Sequence, residues 1–113
     1  MDCIFCKIVA GTIHSRKIYE DEYVLAFHDI QPVSPVHTLI IPKKHIASMN
    51  EASEEDWLLI GHIHRAAQLI ANQLGVAESG YRLVNNCGPD SGQVVFHIPY
   101  HLLGGEKLGP LNS

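Results

Sequence analysis

The stretch Gly92-Gln93-Val94-Val95-Phe96-His97-Ile98-Pro99-Tyr100-His101-Leu102-Leu103-Gly104-Gly105 decides the fold of this chain. Its β-branched and aromatic residues, followed by a Gly-Gly stop, predict a strand. Because side chains alternate along a strand, His97, residue 99 and His101 are expected on one exposed face. The opposite, apolar face is expected to pack on the core, and it consists of Phe96, Ile98, Tyr100 and Leu102. Imidazoles on one face are suited to binding an anion or a metal ion, yet a proline stands between them.

The remaining elements predict an α+β domain built around this strand. A short helix is expected over 3–9, and strands over 17–20, 23–28, 36–41 and 81–86. Apolar residues then recur at helical spacing up to Gly75, so a helix of about 20 residues is expected to begin near a capping box of Ser53 and Asp56. The strands do not alternate with helices, which favours an antiparallel sheet in a single domain over residues 1–113.

The composition is that of a globular protein and excludes several classes of function. Hydrophobic residues make up 46% and charged residues 18% of the chain, in contrast to a disordered segment. The net charge of −4 argues against duplex binding by phosphate neutralisation, so no nucleic-acid partner is expected. No apolar run reaches the length of a membrane span, and the N-terminus lacks the features of a signal peptide. The odd number of cysteines, three, favours a reducing compartment, so a cytoplasmic location is expected.

His97 and His101 are the strongest candidates for chemistry in the sequence. They follow a glycine-containing loop over 88–92, whose backbone N–H groups are suited to the same anion as the imidazoles. The alternative is that both are incidental surface histidines on a strand. Asp29 directly follows another predicted strand, where a carboxylate either accepts hydrogen bonds from both ribose hydroxyls or simply starts a turn.

Cys3-x-x-Cys6 has the spacing of half a zinc site. His45 and His97, each beside a predicted strand or at its end, are candidates for the other two ligands. The alternative is that a short apolar helix buries its cysteines as small hydrophobic residues. Spacing alone favours this alternative.

Several longer stretches make the chain resemble the histidine-triad (HIT) family, close to its bacterial Hint-like branch. They follow the family's order over nearly the full length: CIFCKI (3–8), LAFHDI (25–30), PVHTLIIPKKHI (35–46), GYRLVNN (80–86) and GQVVFHIPYHLLGG (92–105). The resemblance implies the HIT-like fold, a five-stranded antiparallel sheet with one long helix and a short N-terminal helix. It also implies a homodimer, and a purine mononucleotide such as AMP or GMP as the ligand.

The same resemblance assigns roles to individual residues. The wall of the base pocket would consist of Ile4, Phe5, Phe27 and Ile30, and Asp29 would hold the ribose hydroxyls. The α-phosphate would be surrounded by His37, Asn86, Gly92, Gln93, His97 and His101. Some bacterial relatives with the same Cys-x-x-Cys hold a structural zinc ion, which the resemblance places on Cys3, Cys6, His45 and His97.

Pro99 departs from the family pattern at the position that matters most for the chemistry. The pattern is His-x-His-x-His with hydrophobic residues between, and its middle histidine attacks phosphorus and carries the nucleotidyl group until water releases it. Proline offers no nucleophile, so the implied hydrolase or phosphoramidase activity, with His37 and His101 beside the phosphate, is expected to be strongly impaired. Val94 also lacks the polar group that relatives direct at the leaving group. The alternatives are a non-catalytic purine-nucleotide binder and a zinc-stabilised interaction module.

Overall fold

The computed structural model describes residues 3–111, which form a five-stranded antiparallel sheet with one helix on each face. The strands are β1 (Lys17–Glu20), β2 (Val24–His28), β3 (Val36–Pro42), β4 (Tyr81–Asn85) and β5 (Tyr100–Gly104), in the order β1-β2-β3-β5-β4. The helices are α1 (Ile4–Ala10) and α2 (Trp57–Gln73). This architecture confirms the α+β class and the predicted sheet, long helix and short N-terminal helix. None of the helices in the described range is long and apolar enough to span a membrane.

The side chains of β2 alternate between two cores, one on each face of the sheet. Val24 and Ala26 belong to the larger core, whereas Leu25 and Phe27 belong to the smaller one. The larger core takes its helical side chains from α2, namely Ile60, Ile63, Ala66, Ala67 and Ile70. The smaller core is completed by the start of the chain, through Cys3, Phe5 and Ile8. Because both faces are covered, β2 is apolar from Val24 to Phe27 instead of alternating with polar residues.

Helix α2 begins through the capping box that the sequence predicted. The Ser53 backbone N–H donates to Asp56 Oδ2 at 2.8 Å, and the Lys44 ammonium pairs with Asp56 Oδ1 at 2.7 Å. The first turn, Glu54–Asp56, is a 3₁₀ helix, so the α-helix itself spans 17 residues. Gly75 follows its end with a φ of +77°, a conformation that glycine adopts without strain.

The last strand is shorter than predicted. β5 starts at Tyr100, the first residue that pairs with both β3 and β4. Pro99 stands directly before that pair, where the missing N–H of a proline removes no ladder hydrogen bond. The proline therefore lies at a position that a central strand tolerates, and it leaves His101 inside the ladder, opposite Leu39 and Val84.

The segment over 94–99 is irregular, so the expected alternation was wrong for Phe96 and His97, whereas Ile98, Tyr100 and Leu102 pack in the core as expected. Phe96 is 61% exposed instead of facing the core, and His97 is fully buried instead of lying on an exposed face. A hydrogen bond of 2.7 Å from the Ile98 N–H to the Ile46 carbonyl oxygen holds the segment. His97 therefore lies in the interior outside the sheet, whereas His101 is half-buried within the ladder of β5.

Candidate functional site

A cleft of about 360 Å³ opens beside the start of β5, within the size range of small-molecule sites. Its lining residues are Phe5, Asp29, Gln31, Leu39, Asn86, Gly92, Gln93, Val94, Val95, Pro99 and His101. Six of the residues that the resemblance assigns to the nucleotide, together with Pro99, therefore meet in one cleft.

The other residues assigned by the resemblance lie outside this lining. Ile4 and Ile30 are exposed, Ile30 to 92%. Phe27 is buried behind Phe5, and the two rings meet edge to face with 5.9 Å between their centroids. Two buried histidines also lie outside it, His37 and His97.

Three lining residues carried no expectation from the sequence: Gln31, Leu39 and Val95. Leu39 reaches the cleft because the register of β3 places it opposite His101, and an apolar residue within an apolar strand gives no local signal of this. Gln31 is brought in by an Asx turn, in which its N–H donates to Asp29 Oδ1 at 2.7 Å. The turn-forming aspartate was the signal that could have found Gln31.

The loop that follows β4 is shaped by the Gln93 side chain. Its Oε1 accepts a hydrogen bond from the Gly88 N–H at 2.9 Å, and its Nε2 donates to the carbonyl oxygens of Ala47 at 2.8 Å and Val95 at 3.1 Å. Gly92, directly before it, has a φ of +89°, a left-handed conformation that favours glycine. The amide of Gln93 thus braces the loop around the cleft.

The side chains of Asp29, His37 and His101 lie together and are here called the His/Asp cluster. The backbone N–H of Val33 donates to His37 Nδ1 at 3.1 Å, so this nitrogen carries no proton and we assign the His37 proton to Nε2. That N–H faces His101 Nδ1 at 2.9 Å and Asp29 Oδ2 at 3.4 Å. The proton of His101 is then on Nε2, which offers an N–H donor to a ligand in the cleft.

Burial keeps both imidazoles of the His/Asp cluster neutral at pH 7. It lowers the pKa of His37, against the charge of Asp29, which raises it. It also lowers the pKa of His101, with a smaller contribution from His37 in the same direction and an opposing one from Asp29. A metal ion between these residues would need a lone pair on His37 Nε2, where the proton lies. The cluster is therefore suited to an anion and not to a metal.

A second group, here called the Cys/His cluster, consists of Cys3, Cys6, His45 and His97, whose ligand atoms all lie within 4.8 Å of one another. His97 Nδ1 lies 3.4 Å from Cys3 Sγ and 3.3 Å from His45 Nδ1. Cys6 Sγ lies 3.2 Å from His45 Nδ1 and 3.5 Å from His97 Nδ1. With bonds of about 2.3 Å to sulfur and about 2.05 Å to nitrogen, the ligand atoms of a tetrahedral zinc site are about 3.3–3.8 Å apart. The four donors thus have the spacing of a metal site.

The backbone around His97 prepares its ring for a cation. Nε2 donates to the Pro42 carbonyl oxygen at 2.7 Å, so Nδ1 keeps its lone pair and directs it at the two sulfurs. Burial lowers the pKa of His97 and keeps the ring neutral. Burial, and then the neighbouring Cys3 thiol, raise the pKa of Cys6. The Cys6 thiol therefore ionises most readily with a positive charge beside it.

Three separate segments supply the ligands of the Cys/His cluster. Cys3 caps α1 and Cys6 lies in its first turn, whereas His45 follows β3 and His97 precedes β5. The third free cysteine, Cys87, lies in the loop after β4, outside the cluster. The alternative that Cys3 and Cys6 are only small hydrophobic residues does not account for the two imidazoles directed at them.

A larger cleft, of about 440 Å³, lies at the start of α2. The two lysines that line it are already paired with carboxylates of the protein. Lys43 pairs with Glu20 at 2.8 Å, and Lys44 pairs with Asp56 at 2.7 Å. Because its lysines are neutralised within the fold, size alone does not make this cleft a candidate site.

Comparison with known proteins gives several close matches. A profile of the HIT domain matches residues 10–108. The purine nucleoside phosphoramidase of Escherichia coli is 46% identical over 110 residues, which cover 97% of this chain and 92% of that protein. A HIT family hydrolase from Legionella pneumophila superposes with a TM-score of 0.96 at 45% identity, covering 99% of this chain and 100% of the other. A HIT family hydrolase from Clostridium thermocellum superposes with a TM-score of 0.93 at 52% identity, covering 96% and 95%.

Proposed function

The chain belongs to the HIT family, and from this premise we propose that it binds a purine mononucleotide, such as AMP or GMP, in the cleft beside β5. The observation that carries the proposal is that a carboxylate, an amide and an imidazole from three parts of the chain line one cleft, through Asp29, Asn86 and His101. These groups complement ribose hydroxyls and a phosphate. The phosphoramidase activity named for the Escherichia coli relative points to the same class of ligand.

We assign each part of the nucleotide to a part of the cleft. Asp29 is oriented by the Gln31 N–H on its Oδ1, which leaves Oδ2 to accept hydrogen bonds from the ribose hydroxyls. The phosphate lies against Asn86 and the Nε2–H of His101. The base packs on the apolar wall that includes Phe5.

We further propose that the chemistry of this site is strongly impaired. In the reaction that the resemblance implies, a histidine nitrogen at position 99 attacks phosphorus and the P–N bond breaks as the departing amine takes a proton. Water then releases the nucleotide from the histidine. Pro99 has no such nitrogen. His101 does not replace it, because its Nδ1 accepts from His37 and its Nε2 carries a proton, so it directs no lone pair into the cleft.

The turnover of a fluorogenic adenosine phosphoramidate by the parent and by Pro99→His tests this proposal. Losing the nucleophile of another catalytic triad costs on the order of 10⁶ in turnover, so we expect Pro99→His to raise turnover by at least about a thousandfold. Pro99→Ala is the matched control, because it removes the proline without adding a nucleophile, and it should stay at the parent's level. Equal and substantial turnover by all three chains would show that residue 99 is not decisive.

A non-catalytic purine-nucleotide binder is the second candidate function, and it is favoured by Asp29, Asn86 and His101 standing around a position without a nucleophile. Calorimetric titration of the parent with AMP and GMP tests it. We expect saturable binding of at least one of the two, and weaker binding by Asp29→Asn. No heat at millimolar nucleotide would leave the zinc-stabilised interaction module as the remaining alternative.

We also propose that the Cys/His cluster holds a structural zinc ion. Two thiolates and two imidazoles are donors that zinc prefers, and four protein ligands leave no open position for catalysis. When bound, the ion would supply folding free energy by joining α1 to the segments that follow β3 and precede β5. Metal analysis of protein purified without added zinc should find about one equivalent. A folded chain that contains no zinc and takes up none when titrated with it would remove the proposal.

We propose that the chain is a cytoplasmic homodimer. β4 forms one edge of the sheet, and such an edge can pair with a second copy. α2 carries exposed apolar side chains, with Trp57 at 49% and Leu58 at 80%. Light scattering should find twice the chain mass of 12.5 kDa, and a monomeric mass would overturn the dimer. Three free cysteines accord with a reducing compartment.

A further inference from the structure

We propose that the Cys/His cluster controls nucleotide binding, because a metal ion held by Cys3 and Cys6 sets the position of Phe5 in the wall of the cleft. The two cysteines act here as positioning residues, which affect the nucleotide through Phe5. The proposal rests on the nucleotide binding proposed above and adds that the metal and the nucleotide strengthen each other's binding.

Phe5 stands between the two cysteines in the sequence and lines the cleft. Cys3 is the N-cap of α1, and the N–H of Cys6 donates to its sulfur at 3.3 Å. Because Phe5 and Cys6 are consecutive residues of one helical turn, the backbone of Phe5 cannot shift without moving Cys6. A ligand that holds both sulfurs therefore also holds the Phe5 ring.

The Phe5 ring also contacts the Cys/His cluster directly. Its centroid lies 5.9 Å from that of His97, edge to face at 72°. The ring is 7% exposed and is packed against Phe27 as well. Since the interior around the Phe5 ring is close-packed, a shift in the position of the His97 ring also moves the Phe5 ring in the cleft wall.

The irregular segment over 94–99 connects a second part of the cleft wall to the same cluster. The segment contains the ligand candidate His97, and its Val95 and Pro99 line the cleft. The facing residue Leu39 belongs to β3 and is held by the ladder on both sides. The Cys/His cluster is thus attached to three residues of the wall that lie outside the sheet: Phe5, Val95 and Pro99.

Helix α1 is too short to keep this position without tertiary support. It has seven residues, and an isolated helix of that length is unstable in water. Its apolar anchors in the core are Cys3, Phe5 and Ile8. Two metal–sulfur bonds would therefore add a large share of the constraint on its first turn.

Binding linkage turns this geometry into a measurable quantity. If zinc holds Phe5 in its binding position in the nucleotide-free protein, removal of zinc should raise the dissociation constant of AMP by about tenfold. By reciprocity, saturating AMP should lower the dissociation constant of zinc by the same factor. Replacement of Phe5 by leucine should reduce the coupling in both directions.

The experiment compares AMP binding by calorimetry in the zinc-loaded and chelator-treated parent, with circular dichroism as the check on folding. Cys6→His is the second variant, because it keeps a zinc-binding side chain but displaces the first turn of α1 relative to the metal. We expect it to retain zinc and its fold while binding AMP several-fold more weakly. Cys87→Ser is the matched control, and it should show the parent's coupling.

The outcomes separate this proposal from the proposed function. Failure of AMP to bind the zinc-loaded parent would remove the nucleotide site itself. Equal AMP affinity in the loaded parent and in a folded metal-free parent would overturn the coupling and leave the nucleotide site standing. Should the metal-free parent unfold, unchanged AMP affinity in zinc-loaded Cys6→His would overturn the coupling in the same way.

Discussion

The Cys/His cluster and the His/Asp cluster use the same side chain for opposite purposes. Each brings two imidazole nitrogens together, at 3.3 Å for His45 and His97 and at 2.9 Å for His37 and His101. In the first cluster a carbonyl oxygen at the end of β3 accepts a hydrogen bond from the Nε2–H of His97, which leaves the lone pair of Nδ1 facing the sulfurs. In the second cluster an N–H in the loop before β3 donates to His37, which leaves a proton on the nitrogen facing its partner.

The difference shows that the peptide group bonded to one ring nitrogen decides which class of ligand the other ring nitrogen can bind. A backbone acceptor prepares the ring for a cation, and a backbone donor prepares it for an anion. Burial does not distinguish the clusters, because it lowers the pKa of His97 as it does those of His37 and His101. Four predictions test the contrast.

Removing one sulfur from the Cys/His cluster should have the largest effect. Cys3→Ser replaces a thiolate ligand by a hydroxyl, so zinc content should fall from about one equivalent to almost none. Zinc at a thousand times its dissociation constant stabilises a fold by about 4 kcal/mol, and the variant should lose this contribution. Metal analysis and chemical unfolding in excess zinc measure the two effects. Cys87→Ser should keep its zinc, and an equal loss in both variants would contradict the ligand assignment.

Removing the N–H donor of the His/Asp cluster should weaken nucleotide binding and leave the metal in place. A hydrogen bond to a charged group contributes about 1.5–3 kcal/mol, so His101→Ala should raise the dissociation constant of AMP by about 10- to 100-fold. Calorimetry measures the affinity, and metal analysis should still find the parent's zinc content. Loss of zinc from this variant would show that the two clusters are not separate sites.

His37→Leu tests the backbone donor that sets the tautomer. The substitution removes the acceptor for the Val33 N–H and the donor to His101, so the free energy of unfolding should fall by about 1–3 kcal/mol. Imidazole ¹⁵N spectra of the parent should show His37 protonated at Nε2 and not at Nδ1. A proton on Nδ1 would mean that this cluster, too, presents a lone pair to its partner.

The pH dependence of stability should show the smallest effect. Burial lowers the pKa of His37 and His101 below that of an unfolded histidine, so on acidification the unfolded chain takes up protons first. Their contribution to stability is therefore present at pH 7 and is lost as the pH falls below about 6.5. Thermal unfolding measured against pH tests this. The Cys3→Ser variant is used so that release of zinc at low pH does not contribute to the result. The loss of stability on acidification should be smaller in His101→Phe. It should be unchanged in His14→Asn, the control at an exposed site.

Most of the fold could be predicted because its signals are local. Helical spacing, the Ser53 capping box and Gly75 delimit α2 within a few residues. The start of β5 could not be predicted in this way, because it depends on where β3 and β4 offer ladder partners. Residues before Tyr100 have the side chains of a strand, but β4 ends at Asn85, opposite Tyr100, and offers them no further partner.

The membership of the candidate site was more predictable than its arrangement. The spacing of Cys3 and Cys6 called for two more ligands, and the structure brings His45 and His97 to them. Val33, by contrast, contributes only its backbone N–H, and any residue but proline offers the same group. No residue type could have marked that position.

By itself the sequence determined which groups are available: two thiols three residues apart, histidines beside the ends of strands, and a proline where the family pattern has its nucleophile. Only the tertiary structure decided what each histidine offers to a ligand. His97 meets the Pro42 carbonyl oxygen across 55 residues of chain, and His101 meets His37 across 64. The physical reason is that a neutral imidazole carries one proton on either of two nitrogens, and the partner that selects the nitrogen comes from a distant part of the chain.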